Sequence, residues 1–136
     1  MKNLILTLAI ATTGFLSAQK ADLTVEMQNF KNNTGVVKVG LYNSEGTFLG
    51  KTYKQLESKI KEKKAVVTFQ DLPEGEYAVS IYQDENLNGK MDKNFMGIPK
   101  EDYMASNNEK GSFGPPKYNK ARFIIKGNSK ITIKVN

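Results

Sequence analysis

The 136-residue chain contains no cysteine and no histidine. Without histidine it has no Ser-His-Asp or Cys-His nucleophile pair, and no imidazole to carry protons near neutral pH. Without either residue it has no ordinary zinc site, no thiolate chemistry and no disulfide framework. Any chemistry must therefore rely on carboxylates, amides, hydroxyls, lysines and aromatic rings.

The first 18 residues have the layout of a secretory signal peptide. Lys2 gives a positive start, residues 4–15 are mostly apolar, and Ala18 is a small residue before the first polar stretch. A membrane anchor is the alternative, but about 13 apolar positions fall short of the ~20 needed to cross a bilayer. We predict cleavage after Ala18, no transmembrane anchor, and a single exported domain, residues 19–136, in the periplasm or outside the cell.

The remaining sequence reads as short strands separated by turns. Apolar and polar residues alternate with the period of two that is typical of half-buried strands. Residues 47–63 fit either a helix or an edge strand, and we interpret the last two strands as a hairpin across residues 127–129. The pattern predicts an all-β antiparallel sandwich of about seven strands. The clearest strands cover residues 23–27, 36–42, 65–69, 77–82, 121–125 and 130–135.

A long polar stretch, residues 83–120, contains no convincing helix or strand. Loops of this length in compact domains are either functional or disordered. Several large apolar residues within it predict an ordered loop that packs on the domain, although four of them, Tyr103, Met104, Phe113 and Tyr118, would also suit a patch that binds a sugar or a peptide. The apolar residues are Phe95, Met96, Ile98, Tyr103, Met104, Phe113 and Tyr118.

The start of this stretch resembles the first half of a calcium-binding loop. Oxygen-bearing side chains occupy alternate positions at Asp84, Asn86 and Asn88, and Gly89 stands sixth, where the backbone must bend sharply. Lys90 would bind through its carbonyl oxygen, and Asp92 follows at the next ligand position. The twelfth position holds Phe95 in place of the usual glutamate, so Glu101 or Asp102 would have to complete the shell from further along the chain.

Turn chemistry is the alternative explanation of this motif. Aspartate and asparagine favour turns because their side chains bond nearby backbone groups and tolerate left-handed conformations. The strict alternation and the presence of Asp92 favour calcium. Two carboxylates and two amides would bind it weakly, with Kd in the ~10⁻⁴–10⁻³ M range of extracellular modules.

Several short motifs together suggest a family. The chain resembles a family of exported bacterial proteins known as domain of unknown function 2141, over nearly all of its length after residue 18. The resemblance implies an immunoglobulin-like or transthyretin-like sandwich and no established activity. The motifs are Leu72-Pro73, Gly75-x-Tyr77-Ala78, Asp84-Glu85-Asn86-x-Asn88-Gly89-Lys90-x-Asp92, Gly97-Ile98-Pro99-x-Glu101-x-Tyr103 and Ser106-Asn107, with Phe48-Leu49 and Ala121-x-Phe123.

The resemblance also bears on catalysis. Transthyretin-like folds include a ring-opening hydrolase that relies on histidines, and this chain has none. We therefore predict a non-catalytic binding or structural module. The alternative is a carboxylate-dependent hydrolase acting on cell-envelope glycan, which would need two carboxyl groups facing each other at ~5–9.5 Å. Its candidate residues are Glu74, Asp84, Glu85, Asp92, Glu101 and Asp102.

The chain is basic, with 20 Lys and Arg against 14 Asp and Glu. Its lysines suit contact with an anionic glycan or another envelope component, or they are solvated and protect edge strands from aggregation. Predicted export argues against nucleic acid, and there is no aromatic and basic platform for it. The lysines concerned are Lys51, Lys54, Lys59, Lys61, Lys63 and Lys64, and then Lys117, Lys120, Lys126, Lys130 and Lys134.

Overall fold

The computed structural model describes residues 19–135, so the predicted signal peptide, residues 1–18, lies outside the described residues. Eight strands and one short helix, α1, are present in this part of the chain, with 3₁₀ turns at Glu45–Thr47 and Ser106–Asn108. None of its helices is long and apolar enough to span a membrane. The elements are β1 (Lys20–Gln28), β2 (Val36–Tyr42), β3 (Lys54–Lys59), β4 (Lys64–Pro73), β5 (Gly75–Asp84), β6 (Tyr103–Ala105), α1 (Tyr118–Ala121), β7 (Phe123–Ile125) and β8 (Ser129–Lys134).

The strands form two sheets. The smaller sheet has the order β4-β1-β8, and the larger has the order β3-β2-β5-β6, with β7 paired to the first residues of β5. All pairs are antiparallel except β1 with β8, which is parallel. The predicted β-sandwich is confirmed, with eight strands where about seven were expected.

The core lies between the two sheets. Leu23, Val25 and Met27 alternate with half-exposed residues along β1 and are almost fully buried, because successive strand residues point to opposite faces. Val79 and Ile81 of β5 are fully buried on the facing sheet, as the alternation predicted. The other main contributors to this core are Phe30, Val37, Val39, Leu41, Ala65, Val67, Phe69, Leu72, Tyr77, Ile125 and Ile133.

The structure decides one alternative that the sequence left open, and it corrects one prediction. Residues 54–59, left open between helix and strand, form the edge strand β3. The predicted hairpin at the end of the chain is wrong, because β7 pairs with β5 of the larger sheet while β8 pairs with β1 of the smaller. Each segment buries its apolar residues against a distant strand, and no local turn signal specifies that partner.

The connection from β4 to β5 is a tyrosine corner. The Tyr77 hydroxyl donates a hydrogen bond of 2.6 Å to the Pro73 carbonyl oxygen, four residues upstream, and the ring is buried. Such corners occur in immunoglobulin-like sandwiches where the chain passes from one sheet to the other. The Leu72-Pro73 and Gly75-x-Tyr77 motifs therefore have a structural explanation.

The segment from β6 to α1 covers the outer face of β5. Ala78, Ala105 and Ala121 are fully buried there, and Tyr118 packs edge-on against Phe48 with ring centroids 5.6 Å apart. Tyr118 thus packs as predicted for the long polar stretch, and so does Met104, which is buried in the core between the sheets. Tyr103 is half-buried. The same prediction is wrong for four large apolar residues, which are exposed: Phe95, Met96, Ile98 and Phe113.

We predict that Tyr77→Phe lowers the free energy of unfolding by about 1 kcal/mol, since it removes a buried hydrogen bond and leaves the Pro73 carbonyl without that donor. Urea denaturation measures the change. Tyr53→Phe is the matched control, because Tyr53 is half-exposed, and it should change stability by less than about 0.5 kcal/mol. Equal stability of the two variants would contradict the role of the corner.

Burial raises the pKa of Tyr118 from 10.0 to about 12, and its hydrogen bond with Glu76 adds to the effect. The folded protein therefore keeps a proton that the unfolded chain loses. This contribution to stability is complete below about pH 10 and is lost as the pH rises towards 12. We expect the stability of Tyr118→Phe to fall less steeply across that window, in urea titrations run in parallel with the parent chain. Identical slopes would contradict the assignment.

Candidate functional site

The loop formed by residues 84–102 leaves the end of β5 and returns to the same sheet as β6. Asp84, its first residue, is buried and lies opposite Val36 of β2. Gly35, next to Val36, approaches so closely that a Cβ there would lie 2.0 Å from the Asp84 carbonyl oxygen. Only glycine fits at position 35, and the start of the loop is thereby fixed against β2.

The Asp84 carboxylate organises the first turn of the loop. One oxygen accepts a hydrogen bond from the Gly89 amide at 2.8 Å, and the other accepts one from the Asn88 amide at 3.2 Å. Gly89 has a φ of +74°, which is the left-handed conformation expected of the sixth residue of such a loop. The backbone therefore curls around the carboxylate.

Asp92 lies at the centre of the alternating side chains. Its two carboxylate oxygens accept hydrogen bonds from the side-chain amides of Asn86, at 2.6 Å, and Asn88, at 2.7 Å. The amide oxygens of the two asparagines accept bonds from backbone N–H groups, those of Asn88 and Lys90 respectively. Three of the predicted ligands are thus in direct contact through their polar ends.

Glu101 joins the two ends of this turn. Its side chain is 6% exposed, and its carboxylate accepts hydrogen bonds from the backbone N–H groups of Asp92, at 2.9 Å, and Glu85, at 2.7 Å. A buried carboxylate with two amide donors is satisfied without a neighbouring cation. Glu101 therefore fixes the path of the loop whether or not a metal ion binds.

The structure brings together five of the six residues predicted to bind metal: Asp84, Asn86, Asn88, Asp92 and Glu101. The sixth, Lys90, is joined to them through its backbone N–H. Their role as ligands stays a prediction. Within residues 19–135, no three acidic side chains are placed so that they could hold a metal ion on their own, so amide and carbonyl oxygens would have to contribute.

The carboxylates proposed for hydrolysis have other environments. Asp84 and Glu101 accept backbone hydrogen bonds, and Glu85 pairs with Lys31 at 2.9 Å. Glu74 is exposed just before β5, about 30 Å from the loop by strand length. A shallow surface depression lies against Ile124 and Ser129, and no carboxylate lines it.

Two neighbours of the loop were not identified from the sequence. The Tyr82 hydroxyl donates to the Gly89 carbonyl oxygen at 3.1 Å, and burial followed by the nearby charge of Asp84 raises the Tyr82 pKa. The pKa of Lys31 is also raised, chiefly by its hydrogen bond to Glu85. No local pattern connects Lys31 to the motif, because four strands, β2 to β5, lie between them in the chain.

The Ser106-Asn107 motif has a structural role. The buried Ser106 hydroxyl donates to the Ala121 carbonyl oxygen at 2.5 Å and accepts from the Val79 N–H at 3.0 Å. The Asn107 side chain donates to the carbonyl oxygens of Lys120 and Arg122, at 2.9 and 3.0 Å. Together they fasten the segment around α1 to β5.

The outer half of the loop is a small hairpin, residues 92–101, which we call the apolar hairpin. The Lys100 N–H donates to the Asp92 carbonyl oxygen at 2.7 Å, and Lys93 and Pro99 form a bridge one step further out. Its tip exposes three large apolar side chains, those of Phe95, Met96 and Ile98. The sequence signal for the turn is asparagine at position 94 with glycine at position 97.

Comparison with known proteins identifies one family model. It is described as an uncharacterized protein conserved in bacteria (DUF2141), and it matches residues 25–134. No curated protein and no solved structure matches the chain.

We predict that Glu101→Gln lowers the free energy of unfolding by about 1–3 kcal/mol. Glutamine offers one acceptor oxygen to two N–H donors, and its own NH₂ group would face one of them. Denaturant unfolding measures the loss, and faster amide exchange at Glu85 and Asp92 would locate it. Glu62→Gln, on an exposed turn, removes the same charge and should be nearly neutral. A nearly neutral Glu101→Gln would contradict the assigned role.

Proposed function

We propose that this chain, which belongs to the bacterial family DUF2141, is an exported binding or structural module without catalytic activity. Its 84–102 loop binds calcium as part of that role. The layout of residues 1–18 supports export, and the geometry of the loop supports the calcium site.

The observation that carries the calcium proposal is the convergence of Asn86, Asn88 and Asp92. Two amide NH₂ groups now stabilise the Asp92 carboxylate. A cation would replace these donors, with the amide oxygens turned towards it. Calcium takes six to eight oxygen ligands in flexible geometry, and a loop rich in short oxygen-bearing side chains suits that requirement.

The carboxylates on either side can contribute without losing their present bonds. A carboxylate has about four acceptor positions, and those of Asp84 and Glu101 each accept two backbone N–H groups. Negative charge is concentrated at the base of the loop, where Asp84, Glu85 and Glu101 lie and Glu85 pairs with Lys31. A bound cation would reduce the repulsion among these groups.

The exposed lysines support an anionic partner for this module. Lys61, Lys63 and Lys64 are all exposed at the turn from β3 to β4, and an acidic glycan or another envelope component is the proposed ligand class. Hydrolysis of glycan stays a prediction from the sequence. Asp84 and Glu101 bond to backbone amides, Asp92 bonds to asparagine amides, and Glu85 pairs with Lys31. These contacts do not favour a catalytic pair.

We predict that about 10 mM calcium raises the melting temperature of the chain beginning at residue 19, which contains both sheets, by about 5–10 °C relative to chelator. A Kd of ~10⁻⁴–10⁻³ M corresponds to about 1.4–2.7 kcal/mol at that concentration. Magnesium should give a smaller shift, because it demands stricter octahedral geometry and gives up water reluctantly. Thermal melts followed by circular dichroism measure both shifts.

Two variants and a control test whether this loop is responsible. Asp84→Asn and Asp92→Asn should each reduce the calcium-dependent shift by at least about half, whereas Glu62→Gln should keep it. Equal melting temperatures in calcium and chelator would contradict the proposal. So would a shift that the two loop variants leave unchanged.

A further inference from the structure

The apolar hairpin exposes three large apolar side chains that take no part in the core of the domain. Phe95, Met96 and Ile98 are 97%, 67% and 54% exposed, and they lie within four residues of each other at the end of the 84–102 loop. We propose that this tip inserts into the surface of a bilayer that contains anionic phospholipid. The proposal does not depend on calcium binding by the same loop.

Four backbone N–H groups at the tip, those of Asn94, Met96, Gly97 and Ile98, are bonded within the hairpin. The N–H groups of Met96 and Ile98 both donate to the Asn94 side-chain oxygen, at 2.9 and 3.0 Å. The Gly97 N–H donates to the Asn94 carbonyl oxygen at 3.0 Å, and the Asn94 N–H donates to the Ile98 carbonyl oxygen at 2.8 Å. An apolar phase offers no hydrogen-bond partners, so these internal bonds lower the cost of moving the tip out of water.

The hairpin is also held in place at its base. Lys100 and Glu101 both bond to the Asp92 backbone, and Glu101 is in turn bonded to the Glu85 N–H at the end of β5. The apolar side chains are therefore presented on a support that is connected to the larger sheet. Little ordering of the loop is then needed on binding, which favours affinity.

The charges around the tip complement an anionic surface. Lys90, Lys93 and Lys100 are exposed, and Asp92 is the one acidic residue between positions 86 and 100. Both Asp92 carboxylate oxygens accept hydrogen bonds from asparagine amides. Lysines at the edge of an apolar tip can extend their stems along it while their ammonium groups stay at the level of the lipid headgroups.

The shape of the tip favours lipid over a folded protein partner. The side chains project from a tight turn, with Phe95 and Met96 at its two central positions, and so form a narrow convex point. A fluid acyl layer closes around such a point, whereas a protein would need a matching deep pocket. Ile124 and Val66 are exposed singly on strands, which is normal for soluble domains, and carry no such inference.

A tryptophan reporter tests insertion directly, because the chain contains no tryptophan. Phe95→Trp, in the chain beginning at residue 19, is mixed with vesicles of phosphatidylcholine containing about one third phosphatidylglycerol, in the presence of chelator. We expect a blue shift of its fluorescence and sedimentation with the vesicles. Partitioning should be at least about tenfold weaker on pure phosphatidylcholine, and each of Lys93→Gln and Lys100→Gln should weaken it about fivefold.

Matched controls distinguish insertion of the tip from nonspecific binding to vesicles. Ile124→Trp places the reporter on β7, which pairs with the start of β5, at the opposite end from Asp84, and should show no blue shift. The double variant Phe95→Ser with Met96→Ser should keep its melting temperature, because both side chains are exposed, and lose at least about tenfold in vesicle binding.

Three results would overturn the proposal. They are no partitioning of the chain to anionic vesicles, binding that the double serine variant retains, and equal blue shifts for the reporters at positions 95 and 124. The first of these is the result expected if the tip instead fits a pocket on a protein. The vesicle assay contains chelator, so its result does not depend on calcium. The insertion proposal can therefore hold even if the melting experiment shows no response to calcium.

Discussion

The need to bury both faces of β5 is the constraint on which the rest of the structure depends. Its inner face contributes Val79 and Ile81 to the core, and on its outer face Ala78 is fully buried. The segment from β6 to α1 provides the second cover, and the Ser106 hydroxyl ties that segment to the Val79 N–H. Residues 84–102 connect β5 to this covering segment along the chain. They must therefore leave the sheet and return to it.

Buried carboxylates fix the conformation of this loop. Asp84 curls the first turn around itself, and Glu101 holds the two ends of the turn through backbone amides. Carboxylates do this well, because hydrogen bonds to a charged acceptor are about twice as strong as neutral ones. The same oxygens make the loop suitable for a cation and stiffen the hairpin beyond it. One set of residues therefore supports both proposals without making either depend on the other.

The absence of cysteine places the burden of stability on packing and hydrogen bonds. Many small secreted domains are stabilised by disulfides. Here the stabilising contacts are non-covalent: the core between the sheets, the Tyr77 corner, and the packing of Phe48 against Tyr42 and Tyr118. They are distributed over the fold, so it does not rest on any one pair of residues.

The sequence by itself determined the strands with clear alternation, such as residues 23–28, and the oxygen-rich turn from Asp84 to Asp92. Both patterns arise between near neighbours in the chain. Only the tertiary structure decided that residues 123–125 and 129–134 join different sheets, that Glu101 returns to the turn, and that Phe95 and Met96 face solvent. Pairing and burial depend on what lies across from a residue in space. A polar or apolar pattern along the chain does not contain that information.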